Sequence, residues 1–272
     1  MAYLKCLRNV SVTSIPDGKT VTPTDDIQTL LNCANIWDKS YTTLTELLSD
    51  STSLQAVISS NNAIDYLVRS TTWATDMCAD STAMSYIGLN NYASNTLLGD
   101  STWCSAIWLS AYKENVLNVK VPTMTSDNTP SGLVFYKSQY SASTHPAWNA
   151  FDNNTSNQAW SVANDTTNWY VGYDFGDSVK CVGFALAPSN SSTNNTLNTY
   201  KIQGSNDNST WTDLTETLTA PLEINVLREY PFTKNVSDYR YYRLVELSIG
   251  TQQSSTKYVI VSELQFYGRA DV

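Results

Sequence analysis

DSTAMSYIGL NNYASNTLLG DSTWCSAIWL, residues 80–109, reads as one ten-residue phrase written three times. Each phrase opens on Asp80, Asn90 or Asp100, whose short side chain accepts a hydrogen bond from the open amides of a helix start. Each also places an apolar residue at its eighth position, Ile87, Leu97 or Ile107. The phrase continues in both directions, and residues 50–119 fall into rows of ten. The first column is Asp50, Ser60, Ser70, Asp80, Asn90, Asp100 and Ser110, and the eighth is Val57, Leu67, Met77, Ile87, Leu97, Ile107 and Leu117. One turn earlier, the fourth or fifth column supplies Leu54, Ile64, Trp73, Met84 and Trp103. Each row therefore predicts a two-turn helix, restarted by a cap, with a buried stripe. A helix this short is marginal alone, because it cannot recover its nucleation cost. The rows must stack, so the expectation is an all-α array of short helices with decapeptide repeats, solenoid-like or wound about a symmetry axis. Subunit contacts would then help to cover the aromatic positions. One long helix with a decad stripe is the alternative, weakened by the density of Asp, Ser, Thr and Asn.

Towards the amino terminus, Ile27, Leu30, Leu31 and then Leu44, Leu47, Leu48 extend the helical reading, so this unit is expected over residues 25–119. Residues 1–24 read as an extended attachment arm. Towards the carboxyl terminus, VKVPTMTSDNTPSG (119–132) has two prolines and several turn formers, which predicts a linker over 120–130. Beyond it the period changes to two. Short runs rich in Val, Tyr, Phe, Trp and Thr alternate with Asn, Ser, Asp and Gly turns, and strands are expected at 168–175, 179–187, 199–204, 211–214, 222–230, 239–246 and 258–267. The fold class is thus multidomain, with the helical array followed by an all-β sandwich over 131–272.

Four segments of this second half carry a resemblance. SQYSASTHPAWNAFDNNTSNQAW (138–160), YKIQGSNDNSTWTDL (200–214), YRYYRL (239–244) and VSELQFYG (261–268) stand in the order of the motifs of the coagulation-factor-type discoidin family, which the half-chain from Ser131 to Gly268 resembles. Members are jelly-roll sandwiches that bind sugars, lipids or proteins through loops at one end, and many hold a structural calcium ion. Carried over residue by residue, the resemblance implies Ca2+ held by the side chains of Asp152 and Glu263, with the carbonyls of Asn149 and Asn154 nearby. Two departures stand out. Gln158 occupies the usual threonine position, leaving Asn157 for that role, and Asn153 replaces a glycine, which Asn can do because it tolerates left-handed backbone angles. The alternative is that Asp152 caps a turn while Glu263 pairs with Arg240 or Arg243.

Sugar recognition calls for an aromatic face and a few fixed polar groups. Tyr140 and the only histidine, His145, precede Trp148, and SNSSTNNTLN (189–198) and IGTQQSSTK (249–257) are long polar loops. The carbohydrate-binding candidates are Tyr140, His145, Asn190, Asn194 and Gln252; the alternative is that these loops are solvated surface and that Trp148, Trp160 and Trp169 are core.

Composition narrows the classes. Charged residues are 15% of the chain and the net charge is −9, without a basic run, which argues against nucleic acid as partner. No apolar stretch suits a signal peptide or a membrane span, so soluble synthesis in a cytoplasm without membrane insertion is expected. Five scattered cysteines, Cys6, Cys33, Cys78, Cys104 and Cys181, read as free thiols. One histidine, no phosphate loop and no paired catalytic motif argue for a binding protein and not an enzyme. The whole chain, with rows such as DSTAMSYIGL, resembles bacteriophage fibre proteins. That resemblance implies a virion structural protein, a head fibre, decoration or tail-fibre subunit. It would be assembled in the host cytoplasm and exposed on the virion surface. The first half would hold other virion proteins and a homo-oligomer, as a trimer, and the second half would present a glycan-binding module. A non-viral carbohydrate-binding module protein without catalytic activity is the alternative.

Overall fold

The computed structural model describes residues 26–161, 168–188, 197–221, 223, 226–234, 237–249 and 258–270. The expected arm, residues 1–24, lies outside them, as does Cys6. The chain divides into two compact units, which part between Asn118 and Val119.

Among the described residues the first unit has eight α-helices: α1 (Ile27–Cys33), α2 (Leu44–Leu48), α3 (Ser51–Ser59), α4 (Asn61–Leu67), α5 (Ala74–Ala79), α6 (Ser81–Leu89), α7 (Asn91–Leu98) and α8 (Ser101–Leu109). The helices restart where the first column places them. Asp50 accepts from the amides of Thr52 and Ser53, Ser60 from Ala63, Asp80 from Ala83, Asn90 from Ala93, and Asp100 from Thr102 and Trp103. Ser60, Asp80 and Asn90 each end one helix and cap the next with a single extended residue, which is why the repeat is ten long and the helix nine or fewer. Two rows depart from the pattern. Ser70 makes no side-chain cap bond and leads into a 3-10 turn, Thr71–Trp73, so Trp73 is only half-buried and Ala74 takes the interior slot expected for it. Ser110 is followed not by an α-helix but by the 3-10 turn Lys113–Asn115.

The eighth column is interior throughout: Val57, Leu67, Met77, Ile87, Leu97, Ile107 and Leu117 are all at most 3% exposed. Packing partners reveal the winding. α3 packs on α6, α4 on α7, α5 on α8, and α1 on α4, so each helix lies on the one three rows earlier and three rows complete a turn of a solenoid. Neutral caps stitch these turns together. Asn90 Nδ2 donates to the Ile58 carbonyl at 2.9 Å, Ser110 Oγ to Cys78 O at 2.5 Å, and Ser60 Oγ to Cys33 O at 3.0 Å. Of the four described free cysteines, Cys33 and Cys78 sit inside this unit and Cys181 inside the next, while Cys104 is half-buried.

The second unit is an antiparallel β sandwich of β1 (Val119–Lys120), β2 (Leu133–Tyr136), β3 (Ala159–Trp160), β4 (Tyr170–Pro188), β5 (Leu197–Ser205), β6 (Thr212–Asp213), β7 (Leu218–Thr219), β8 (Arg228–Pro231), β9 (Tyr239–Ile249) and β10 (Ile260–Arg269). The strands expected at 168–175 and 179–187 are one continuous strand, β4. Its first half pairs with β2 and β9 and its second with β8 and β10, the change coming at a register shift between Asp174 and Val179. Gly176 sits in that kink at φ +85°, a left-handed angle that suits glycine. Of the strand expected at 222–230, residues 228–230 fall in β8, residues 223, 226 and 227 lie outside any strand, and residues 222, 224 and 225 are outside the described residues.

The linker expected over 120–130 is instead part of the sandwich. Val119 and Lys120 pair with Gly268 and Tyr267, Val121 and Met124 are buried in the core, and the Met124 amide donates to Phe151 O at 2.9 Å. Apolar residues at 119, 121 and 124 outweigh the two prolines, which an edge strand and its turns accommodate. The core gathers Phe151, Trp169, Tyr173, Phe184, Tyr200, Tyr242 and Phe266, all fully buried. Tyr242 is tied at its far end too: its hydroxyl donates to Val179 O at 2.5 Å and accepts from the Cys181 amide at 3.1 Å.

Candidate functional site

Four rings meet where β3 joins the start of β10. Ile260 and Val261 pair with Trp160 and Ala159, and alternation sends Ala159 inward while Trp160 stays half-exposed. A loop closes over the same edge. The Tyr140 amide donates to Trp160 O at 2.8 Å, the His145 amide to Ser141 O at 3.0 Å, and Ser141 Oγ accepts from the Thr144 amide. These bonds fix the rings around one another. Tyr140 lies 6.0 Å from His145, 5.9 Å from Trp160 and 5.2 Å from Tyr258, while His145 to Trp160 is 4.3 Å and Trp160 to Tyr258 is 5.1 Å between centroids. Tyr140 is half exposed, and the other three rings are partly so. Trp160 Nε1 donates to Gln158 Oε1 at 2.7 Å, which settles the indole edge. Burial holds the His145 imidazole below its ordinary pKa, so it is neutral at pH 7 and both an acceptor and a donor.

Of the sequence candidates, the structure therefore brings Tyr140 and His145 together. Asn190, Asn194 and Gln252 lie outside the described residues. Trp169 is core, as the alternative reading had it, whereas Trp160 belongs to the ring cluster and not to the core, and Tyr258 joins it unforeseen. The signal for Trp160 was its alternation with Ala159; nothing local marked Tyr258.

A second site lies at the 3-10 turn Ala147–Phe151 and the middle of β10. The Asn154 amide donates to both acids, to Asp152 Oδ1 at 3.0 Å and Glu263 Oε2 at 3.2 Å. Asn153 turns the chain there with φ +56°, the left-handed angle expected of it. Glu263 is buried, and burial first, with the charge of Asp152 adding, pushes its carboxyl up to about 8. Neither expected arginine reaches it. Arg240 binds Asp174 at 2.7 Å, and Arg243 binds Gln203 and stacks on Trp211. Asn157 Nδ2 donates to Asp152 Oδ2 at 2.5 Å, Asn149 Nδ2 to Gln158 O at 3.0 Å, and the Asn154 carbonyl accepts from the Asn157 amide. Nearby, Gln265 donates to Glu263 Oε1 while its own Oε1 is buried without a partner. Two converging carboxylates, one of them buried, and an orphaned amide oxygen fit a hard cation. Among the described residues no three His, Cys, Asp or Glu side chains cluster, so carbonyl, amide or water oxygens would have to complete the six to eight ligands calcium takes.

The family model of the F5/8 type C domain matches residues 135–264. Residues 135–264 are an F5/8 type C domain. Several solved structures are similar to this part of the chain. CBM32-3 of a family 31 glycoside hydrolase from Clostridium perfringens is 20% identical, with 54% of this chain and 100% of that one covered and a TM-score of 0.42. The family 32 CBM of C. perfringens NanJ, solved with galactose, is 16% identical over 55% and 99%, TM-score 0.42. An F5/8 type C domain from Bacteroides fragilis is 14% identical over 52% and 93%, TM-score 0.43. A search of curated protein sequences finds no match. The ring cluster and the acid pair both lie within the F5/8 type C domain, built from its edges and loops and not from its core.

Proposed function

We propose that the F5/8 type C domain binds a carbohydrate at Tyr140, His145, Trp160 and Tyr258. The observation that carries this reading is the four-ring cluster, part-exposed and hydrogen-bonded into place. A pyranose presents an apolar C–H face that stacks on such rings, while the phenol hydroxyls and a neutral imidazole read its hydroxyl groups. We read the module as binding without catalysis, and Asp152 and Glu263 as its calcium site, where the ion would tie the loop of residues 152–157 to β10. The test is calorimetric titration of the full chain with galactose and a panel of neutral and acidic oligosaccharides. Trp160→Ala and Tyr140→Ala are each expected to weaken binding about tenfold or more, the loss of one stacking face. No binding by any member of the panel, with calcium present, would remove the reading.

For the whole chain, we infer a bacteriophage virion structural protein that displays this module. A charge-poor, Ser/Thr-rich helical repeat joined in one chain to a loop-binding sandwich supports it. Purified particles should contain the chain on their surface, accessible to an antibody against the sandwich. Recovery of the chain only as a free protein would favour the non-viral carbohydrate-binding alternative.

A further inference from the structure

Gln158 lies between the ring cluster and the loop that carries Asp152. It follows that loop in the chain and stands two residues before Trp160, so alternation puts the side chains of Gln158 and Trp160 on one side of the strand. Polar as it is, Gln158 is only 7% exposed. Its Oε1 accepts from the Trp160 indole N–H at 2.7 Å, and its backbone carbonyl accepts from Asn149 Nδ2 at 3.0 Å. The loop side is tied as firmly. Asn157, adjacent in the chain, donates through Nδ2 to Asp152 Oδ2 at 2.5 Å and through its amide to Asn154 O at 3.0 Å. On the ring side, Trp160 O accepts from the Tyr140 amide at 2.8 Å. Gln139, beside Tyr140, accepts through Oε1 from the Ala147 amide at 3.0 Å, at the head of the same 3-10 turn that supplies Asn149. A polar path therefore runs from Asp152 through Asn157 and Gln158 to the indole of Trp160.

The indole bond has little to do for the fold. Trp160 is part-exposed, so water can satisfy its N–H when no protein acceptor is there. Water does not fix the plane of the ring. An indole turns about its outer side-chain bond over a broad range of angles, and an acceptor held at a fixed place selects one of them. A ring already set in its binding pose removes an ordering cost that the ligand would otherwise have to overcome. We propose that Gln158 is the positioning residue of the ring cluster and couples the Asp152 loop to the pose of Trp160, so that a change in that loop alters affinity at the rings. The ligand in this proposal rests on the carbohydrate reading above, whereas the coupling rests on the hydrogen bonds alone.

Two readouts on the full chain test it: the magnetic resonance signal of the Trp160 indole N–H, identified by its loss in Trp160→Phe, and calorimetric affinity for galactose and the oligosaccharide panel. Gln158→Met keeps the length of the side chain and loses the acceptor. It is expected to shift the Trp160 signal and weaken sugar binding about fivefold, the cost of ordering one side chain, with the melting temperature little changed. Trp160→Phe keeps a ring but has no N–H, so in that background Gln158→Met should alter affinity by less than about twofold. Asn157→Ala, at an exposed position on the loop, is expected to shift the Trp160 signal too, and it decides the coupling should Gln158→Met fail to fold. A Trp160 signal unmoved by Gln158→Met or by Asn157→Ala overturns the proposal. Equal losses of affinity in the two backgrounds, or a lower melting temperature with affinity unchanged, overturn it as well. A wild-type chain that binds no sugar removes the carbohydrate reading instead, and the coupling then stands or falls on the Trp160 signal.

Discussion

At the scale of single residues, Glu263 has the most testable chemistry. Its carboxyl stands at about 8 against an ordinary 4.5, so the folded state holds its proton more tightly than the unfolded state does. Its favourable contribution is therefore complete below the ordinary value and is lost as pH rises towards about 8. In chelator, the melting temperature of the sandwich should fall across that window, and Glu263→Gln should flatten the fall. Added calcium should remove the fall in the wild type and do nothing for the variant, because the ion replaces the proton as the counter-charge. A wild-type melting curve indifferent to pH and calcium alike would argue against a cation at Asp152 and Glu263.

Asn90 poses a smaller question with a cleaner control. One side chain caps α7 through Oδ1 and stitches to Ile58 O through Nδ2. Asn90→Asp keeps the cap and loses the stitch, leaving a carbonyl unpaired, at a cost of about 1 kcal/mol. Asn90→Ala loses both, about 2 kcal/mol. Equal costs in chemical denaturation would show that the stitch contributes nothing.

At the scale of elements, the array depends on how closely its turns approach. A Cβ on Gly88 would run into the carbonyl of Asn115, part of the 3-10 turn that packs on α6. Ala normally favours helix over Gly by about 1 kcal/mol. Here Gly88→Ala should instead destabilise, because backbone must shift, and a rise in melting temperature would contradict the packing described. The β elements make a parallel case. Gly172 on β4 faces Phe135 and the Tyr242 carbonyl, with no room for a methyl. β1 and the run through Met124 likewise close an edge that strand periodicity alone had left open.

At the scale of the molecule, two units with separate cores should each fold by their own contacts. A fragment beginning at Val119 is expected to fold as a sandwich, whereas one beginning at Ser131 discards β1, Val121 and Met124. Burying two such side chains contributes about 3 to 6 kcal/mol, so the shorter fragment should melt well below the longer one. Coincident melting would mean that residues 119–130 are the linker their prolines suggested.

The sequence by itself determined the helix starts, the buried eighth column and the period-two sandwich. These are local patterns, and a cap or an alternating strand acts on neighbours within a turn or a pair of residues. It also marked Tyr140, His145, Asp152 and Glu263, through a resemblance whose motifs are themselves local. Tertiary structure alone decided that three rows make one turn and that β4 serves both sheets. It also brought Trp160 and Tyr258 beside Tyr140, and turned Arg240 and Arg243 away from Glu263. Those outcomes depend on which distant surfaces bury each other best, a choice made by the packing of whole elements and carried by no short stretch of chain.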